Sequence, residues 1–161
     1  MLLYRSALIK TLATLGLCLF SWSALADDCS ATIDSNDAMQ FDLDNIEISK
    51  SCDEFTLTLT HSGNLPVSSM GHNWVLSEAG DMQAIAQEGA PAGVDNDYLK
   101  PNDDRVIAAT DLIGGGEETT TTFDVSQLEK SEDYKFFCSF PGHLSMMQGT
   151  VSLTDYATHP A

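Results

Sequence analysis

The clearest pattern in the chain lies at 54–60, where Phe55, Leu57 and Leu59 alternate with Thr56, Thr58 and Thr60. A period of two puts the apolar side chains on one face and the threonines on the other, as in a half-buried strand. Shorter runs rich in β-branched and aromatic residues occur at 38–43, 73–76, 105–109, 119–125, 134–138 and 149–153, bounded by Gly, Pro, Asn and Asp. About seven or eight strands at this spacing predict an all-β sandwich. The stretch 80–90 departs from the pattern. Its Ala, Met, Gln and Glu favour helix, and Asp81 stands at or just before a first turn, which predicts one short helix in an excursion between strands. Gly114-Gly115-Gly116 has neither the strand-to-helix setting nor the following Lys-Ser/Thr of a phosphate loop, so it reads as a turn.

At the N-terminus, Arg5 and Lys10 precede an apolar run at 11–22 that ends in Ser23-Ala24-Leu25-Ala26. That is the layout of a secretory signal with its small-residue cleavage site, so 1–26 is expected to be removed and the mature chain to begin at Asp27. The run is about a dozen residues, short of the roughly 20 needed to span a membrane. A lipid anchor on Cys18 is the weaker alternative, because Leu17 and not a small residue precedes it. The remaining 27–161, about 135 residues, suits one domain, with 155–161 as a loose polar tail.

Charge then narrows the partners. The chain carries 24 acidic and 7 basic residues, a formal charge of −17; losing Arg5 and Lys10 with the signal moves it to −19. Nucleic acid is excluded as a partner, since phosphate binding needs clustered Lys and Arg. Two readings of the acidity remain: steering toward basic proteins, or a surface adapted to salt.

Cys18 leaves with the signal, so the exported chain keeps Cys29, Cys52 and Cys138. If two pair, Cys29 with Cys52 is the economical choice, and the third is a free thiol, a cross-link or a metal ligand. Cys138 opens the segment Cys138-Ser139-Phe140-Pro141-Gly142-His143-Leu144-Ser145-Met146-Met147, which places thiol, imidazole and thioether around a Pro-Gly turn. Thiolate and thioether favour Cu(I), imidazole serves both copper states, and two His with one Cys and a distant axial Met form the blue-copper pattern. His72, in Met70-Gly71-His72-Asn73-Trp74, supplies the second imidazole, and Gly71 has no side chain to obstruct its own carbonyl. Taken singly, a Cys at a strand end is more often a small buried hydrophobe, and a lone His or Met a structural one. Their conjunction around an unpaired cysteine points to copper.

These residues resemble the azurins, a branch of the cupredoxin family, through Lys50-Ser51-Cys52, Gly63-Asn64-Leu65-Pro66, the segment around His72, Asp97-Tyr98-Leu99-Lys100-Pro101, Thr122-Phe123-Asp124-Val125-Ser126 and the C-x₄-H-x₃-M spacing of Cys138, His143 and Met147. The resemblance implies an eight-stranded Greek-key sandwich, a Cys29–Cys52 disulfide and a buried Trp74. It implies one copper with His72, Cys138 and His143 in a plane, and Met147 and the Gly71 carbonyl as weak axial contacts. Asn73 and the Phe140 N–H are expected to brace the ligand loops and donate to the sulfur. The implied function is a periplasmic, monomeric one-electron carrier with no catalytic residues. Its partners would be redox proteins such as c-type cytochromes or a periplasmic reductase. They would dock at His143 on an apolar patch of Met39, Leu65, Met70, Phe140, Pro141 and Met146. His61 matches a position near the site, Ala109 replaces a second histidine there, and Ser69 and Ala90 stand where the patch is usually apolar.

Other classes fit less well. A multicopper enzyme needs further histidines, and only His61 and His159 remain. A copper chaperone or store favours exposed donors, whereas Cys138 sits between Phe137 and Phe140. A metal-free binding sandwich leaves the unpaired thiol unexplained.

Overall fold

The alternating segment at 54–60 becomes the spine of one of two facing sheets. The computed structural model describes residues 29–128 and 133–155; the signal at 1–26 and the tail beyond Asp155 lie outside them. In chain order the strands are β1 (Ser30–Asn36), β2 (Gln40–Phe41), β3 (Asn45–Ser49), β4 (Glu54–His61), β5 (Val75–Glu78), β6 (Ala108–Ala109), β7 (Glu118–Asp124), β8 (Tyr134–Phe137) and β9 (Gln148–Thr154). A one-turn helix α1 (Val67–Met70) precedes β5, and α2 (Met82–Gly89) follows it. One sheet runs β2-β1-β4-β7 and the other β3-β9-β8-β5-β6. The β1–β4 and β3–β9 pairs are parallel and the others antiparallel.

Phe55, Leu57 and Leu59 of β4 are fully buried, as the alternation requires, and meet Ile46, Ile48, Leu76 and Phe136 from the opposite sheet. Trp74 lies between Phe123 and Phe136, ring centroids 6.2 and 6.0 Å away. Its Nε1 has no hydrogen-bond partner among the described residues. An unpaired buried N–H costs about 1–3 kcal/mol. Burial of an aromatic ring of this size stabilises by about 4–6 kcal/mol, so packing wins at this position. Cys29 and Cys52 form a disulfide that ties the start of β1 to the start of β4.

The expected two-sheet β-sandwich is present, with nine strands among the described residues when the two-residue β2 and β6 are counted. The bounds of several elements differ from the sequence expectations. The 38–43 run contracts to β2, with Met39 at φ 56° turning the chain. The 105–109 run contracts to β6, since Arg105 is engaged with Asp103 and Glu88. The 73–76 run shifts forward to β5, since the Asn73 side chain is engaged elsewhere. β1 and β3 were not anticipated. Helix α2 lies within 80–90 as expected and buries Ile85 against Val75 and Phe137, with Met82 and Ala86 alongside. Asp81 occupies its N-cap position but makes no side-chain cap bond. Asp155, read as the start of a loose tail, pairs with Lys50 at 2.6 Å.

Candidate metal centre

Strands β5 and β8 are paired as far as Val75 opposite Phe137, and beyond that pair the two chains separate. The side chain of Asn73 fills the gap as a backbone amide would. Its Oδ1 accepts from Ser139 N–H at 2.9 Å, and its Nδ2 donates to Ser139 Oγ at 2.8 Å. Asn73 is fully buried and Ser139 nearly so. This clamp sets His72 beside Cys138. On its other side His72 is held in a two-residue bridge, its N–H and C=O both bonded to Ile113 at 2.9 Å.

The segment 138–147 is the connection of the β8–β9 hairpin. Cys138 N–H donates to the Met147 carbonyl at 3.0 Å, which closes its base. Inside, His143 N–H donates to Phe140 C=O, and both Met146 and Met147 donate to His143 C=O. Gly142 has φ 92°, a conformation open mainly to glycine, so the Pro-Gly turn aims His143 back at Cys138. Gly71 is required for a different reason: a Cβ there would lie 2.5 Å from the Val67 carbonyl and 2.9 Å from the Leu112 side chain.

The loops bring His72 Nδ1 to 3.8 Å and His143 Nδ1 to 3.7 Å from Cys138 Sγ, with the Gly71 carbonyl 4.0 Å from the sulfur. The two nitrogens and the sulfur all lie within 4.8 Å of one another. A metal bound in a plane at about 2.0 Å to nitrogen and 2.3 Å to sulfur holds N and S about 3.7 Å apart. The donor triangle therefore fits a single ion. Met147 is fully buried and joined through its backbone to both Cys138 and His143.

The electrostatics suit neutral nitrogen donors. His72 is fully buried, and its Nε2–H donates to Asn36 C=O at 3.0 Å, which leaves the Nδ1 lone pair facing the sulfur. Burial pushes its pKa down to about 4 despite that acceptor, and burial also lowers His143. Burial pushes the Cys138 thiol up to about 11, opposed by hydrogen bonds from the Asn73 and Phe140 backbone N–H groups. Those are the two groups expected to donate to the sulfur. His61 stacks on His72 at 4.6 Å; its Nδ1 accepts from Gly63 N–H, so its Nε2–H donates to Met70 C=O.

The loop around His143 is exposed at Pro141, Gly142 and Met146, but the His143 side chain is covered, with the residue only 4% exposed. Phe140 stacks on the His143 ring at 4.5 Å. Of the residues expected to form the apolar patch, Leu65, Pro141 and Met146 are exposed, and Met39, Met70 and Phe140 are half-buried. The Asn36 carbonyl, which holds His72, and the Asp97 carbonyl, which holds Asn73 and Ser139, have roles that the sequence did not reveal, since a main-chain oxygen belongs to no side-chain pattern. Ser139, adjacent to the cysteine, was the one detectable signal.

The chain matches the family of copper binding proteins, plastocyanin/azurin family, over residues 27–154. It is 52% identical over 147 residues to azurin from Pseudomonas aeruginosa PAO1, covering 91% of this chain and 99% of that one. It is 59% identical over 126 residues to azurin from Pseudomonas fluorescens biotype A, covering 78% and 98%. A solved azurin structure from the obligate methylotroph Methylomonas sp. strain J aligns with a TM-score of 0.76 at 49% identity, covering 78% of this chain and 98% of that one.

Proposed function

The chain belongs to the plastocyanin/azurin family of copper-binding proteins, and from that premise we propose that His72, Cys138 and His143 would hold its copper, with Met147 and the Gly71 carbonyl as weaker contacts. The protein is a type 1 copper electron carrier and not an enzyme. When bound, copper supplies the one-electron Cu(II)/Cu(I) couple.

What the chain supplies is a fixed donor set. The bond from His72 to Asn36 C=O settles which nitrogen faces the sulfur. The Asn73–Ser139 clamp keeps the two ligand segments from separating. Burial of His72 and Cys138 excludes water from the donors. The observation that carries the assignment is the triangle of two imidazole nitrogens and one thiol sulfur, sized for one ion and charge-neutral on the nitrogen side.

Redox proteins are the partners. We assign docking to the apolar surface of Met39, Leu65, Met70, Phe140, Pro141 and Met146, over the edge of His143, by single copies of the chain. The partner class is a c-type cytochrome or a reductase, met in the periplasm after removal of 1–26. A mature mass beginning at Asp27 in the periplasmic fraction tests that location.

The assignment is tested by titrating the purified mature protein with Cu(II) and following visible absorption. An intense band that saturates at about one copper per chain, bleaches with ascorbate and is missing in Cys138→Ser supports it. Copper binding without that band, or an unchanged band in Cys138→Ser, overturns it.

A further inference from the structure

Asp97 stands away from the ligand loops in sequence, yet it is bonded to both. Its backbone is left-handed, φ 54° and ψ 25°, and Tyr98 follows at φ 52°. Residues other than glycine seldom adopt this conformation, and Asp and Asn tolerate it best. The bend turns the Asp97 carbonyl toward the site, where it accepts from Asn73 Nδ2 at 3.0 Å and from Ser139 Oγ at 2.7 Å. Asn73 follows His72 and Ser139 follows Cys138. On its other side Asp97 Oδ1 accepts from Leu112 N–H at 2.8 Å. Leu112 precedes Ile113, which bridges His72, and its side chain packs over Gly71. Tyr98 adds an edge contact to Phe140 at 5.0 Å.

We propose that Asp97 is a positioning residue for the metal site: its left-handed carbonyl braces the Asn73–Ser139 clamp while its carboxylate fixes the 112–113 segment that holds His72. The carboxylate sets the backbone, the backbone aims the carbonyl, and the carbonyl sets the spacing between the His72 and Cys138 segments. Groups of this kind around ligands cost about 10–100-fold in metal affinity when removed. The inference rests on the copper assignment above.

Asp97→Gly keeps the backbone freedom and removes the acceptor, whereas Asp97→Asn keeps both the conformation and Oδ1. The expected result is copper affinity about 10–100-fold weaker in Asp97→Gly, with a displaced visible band, and within about twofold of wild type in Asp97→Asn. In the metal-free proteins, amide exchange at His72 and Ser139 should quicken in Asp97→Gly and not in Asp97→Asn. Ser139→Ala removes one donor to the carbonyl without touching Asp97, and should act in the same direction but less, and non-additively with Asp97→Gly. A lower melting temperature with unchanged affinity, band and exchange in Asp97→Gly, or an unaffected site in Ser139→Ala, overturns the role of Asp97 alone. A wild-type protein that shows no such band overturns the copper assignment and this inference together.

Discussion

Burial holds the proton on Cys138 up to about pH 11 and keeps His72 neutral down to about pH 4. Cu(II) uptake near pH 7 should therefore release about one proton, from the cysteine, since a ligating thiol must be deprotonated. Calorimetric titrations in two buffers of different ionisation enthalpy measure that number; release near zero would show that Cys138 does not ligate. At the patch, Met146 is 58% exposed. Met146→Asp should slow electron self-exchange by about 10-fold, roughly 1.4 kcal/mol, with the visible band unmoved, as NMR line broadening of mixed oxidation states would show. At this scale the sequence was most informative, because Cys138, His143, Met147 and His72 announce their chemistry by residue type and spacing. Asn36 was silent because its carbonyl does the work and any residue has a carbonyl, and Asp97 stood out only within the family resemblance, because its contacts run to segments distant in sequence.

At the level of elements, α2 carries Ile85 as its main buried side chain, packed on Val75 and Phe137, a strand pair three residues after His72 and one before Cys138. Ile85→Ala should destabilise the fold by about 2–5 kcal/mol in urea unfolding, while a correctly formed site keeps its band. Loss of the band at temperatures where the fold persists would show that α2 also shapes the site. The strand β4 and the helix were legible because each carried several apolar residues at one period. β3 was not, since it offers only Ile46 and Ile48 among polar and acidic neighbours. β1 was missed for a related reason: one of its buried positions is Ser35, whose hydroxyl bonds the Thr60 carbonyl. β6 shows the opposite failure, a β-rich run in which Arg105 is committed to carboxylates.

Over the whole molecule the formal charge of −17 sets solution behaviour. Lys50, Lys100 and Arg105 are already ion-paired with Asp155, Glu88 and Asp103, so much of the acidity is left without internal compensation. If self-repulsion dominates, the thermal midpoint should climb as salt rises to about 1 M, where the screening length falls to about 3 Å; a flat response would leave partner steering as the reason for the acidity. The Arg105 guanidinium holds the Asp103 and Glu88 carboxyls below their usual values. A lowered native pKa contributes stability that is present in full above about pH 4 and is lost as pH falls through the native value. Asp103→Asn should therefore be less stable than wild type at pH 7 and converge with it in acid, as denaturant midpoints across pH would record. The location of one copper between three named atoms is read directly from an anomalous difference map, collected at the copper edge, from crystals of the copper-loaded protein. A single peak per chain is expected, enclosed by His72 Nδ1, Cys138 Sγ and His143 Nδ1. A principal peak at surface carboxylates, or none at the triangle, would contradict that location.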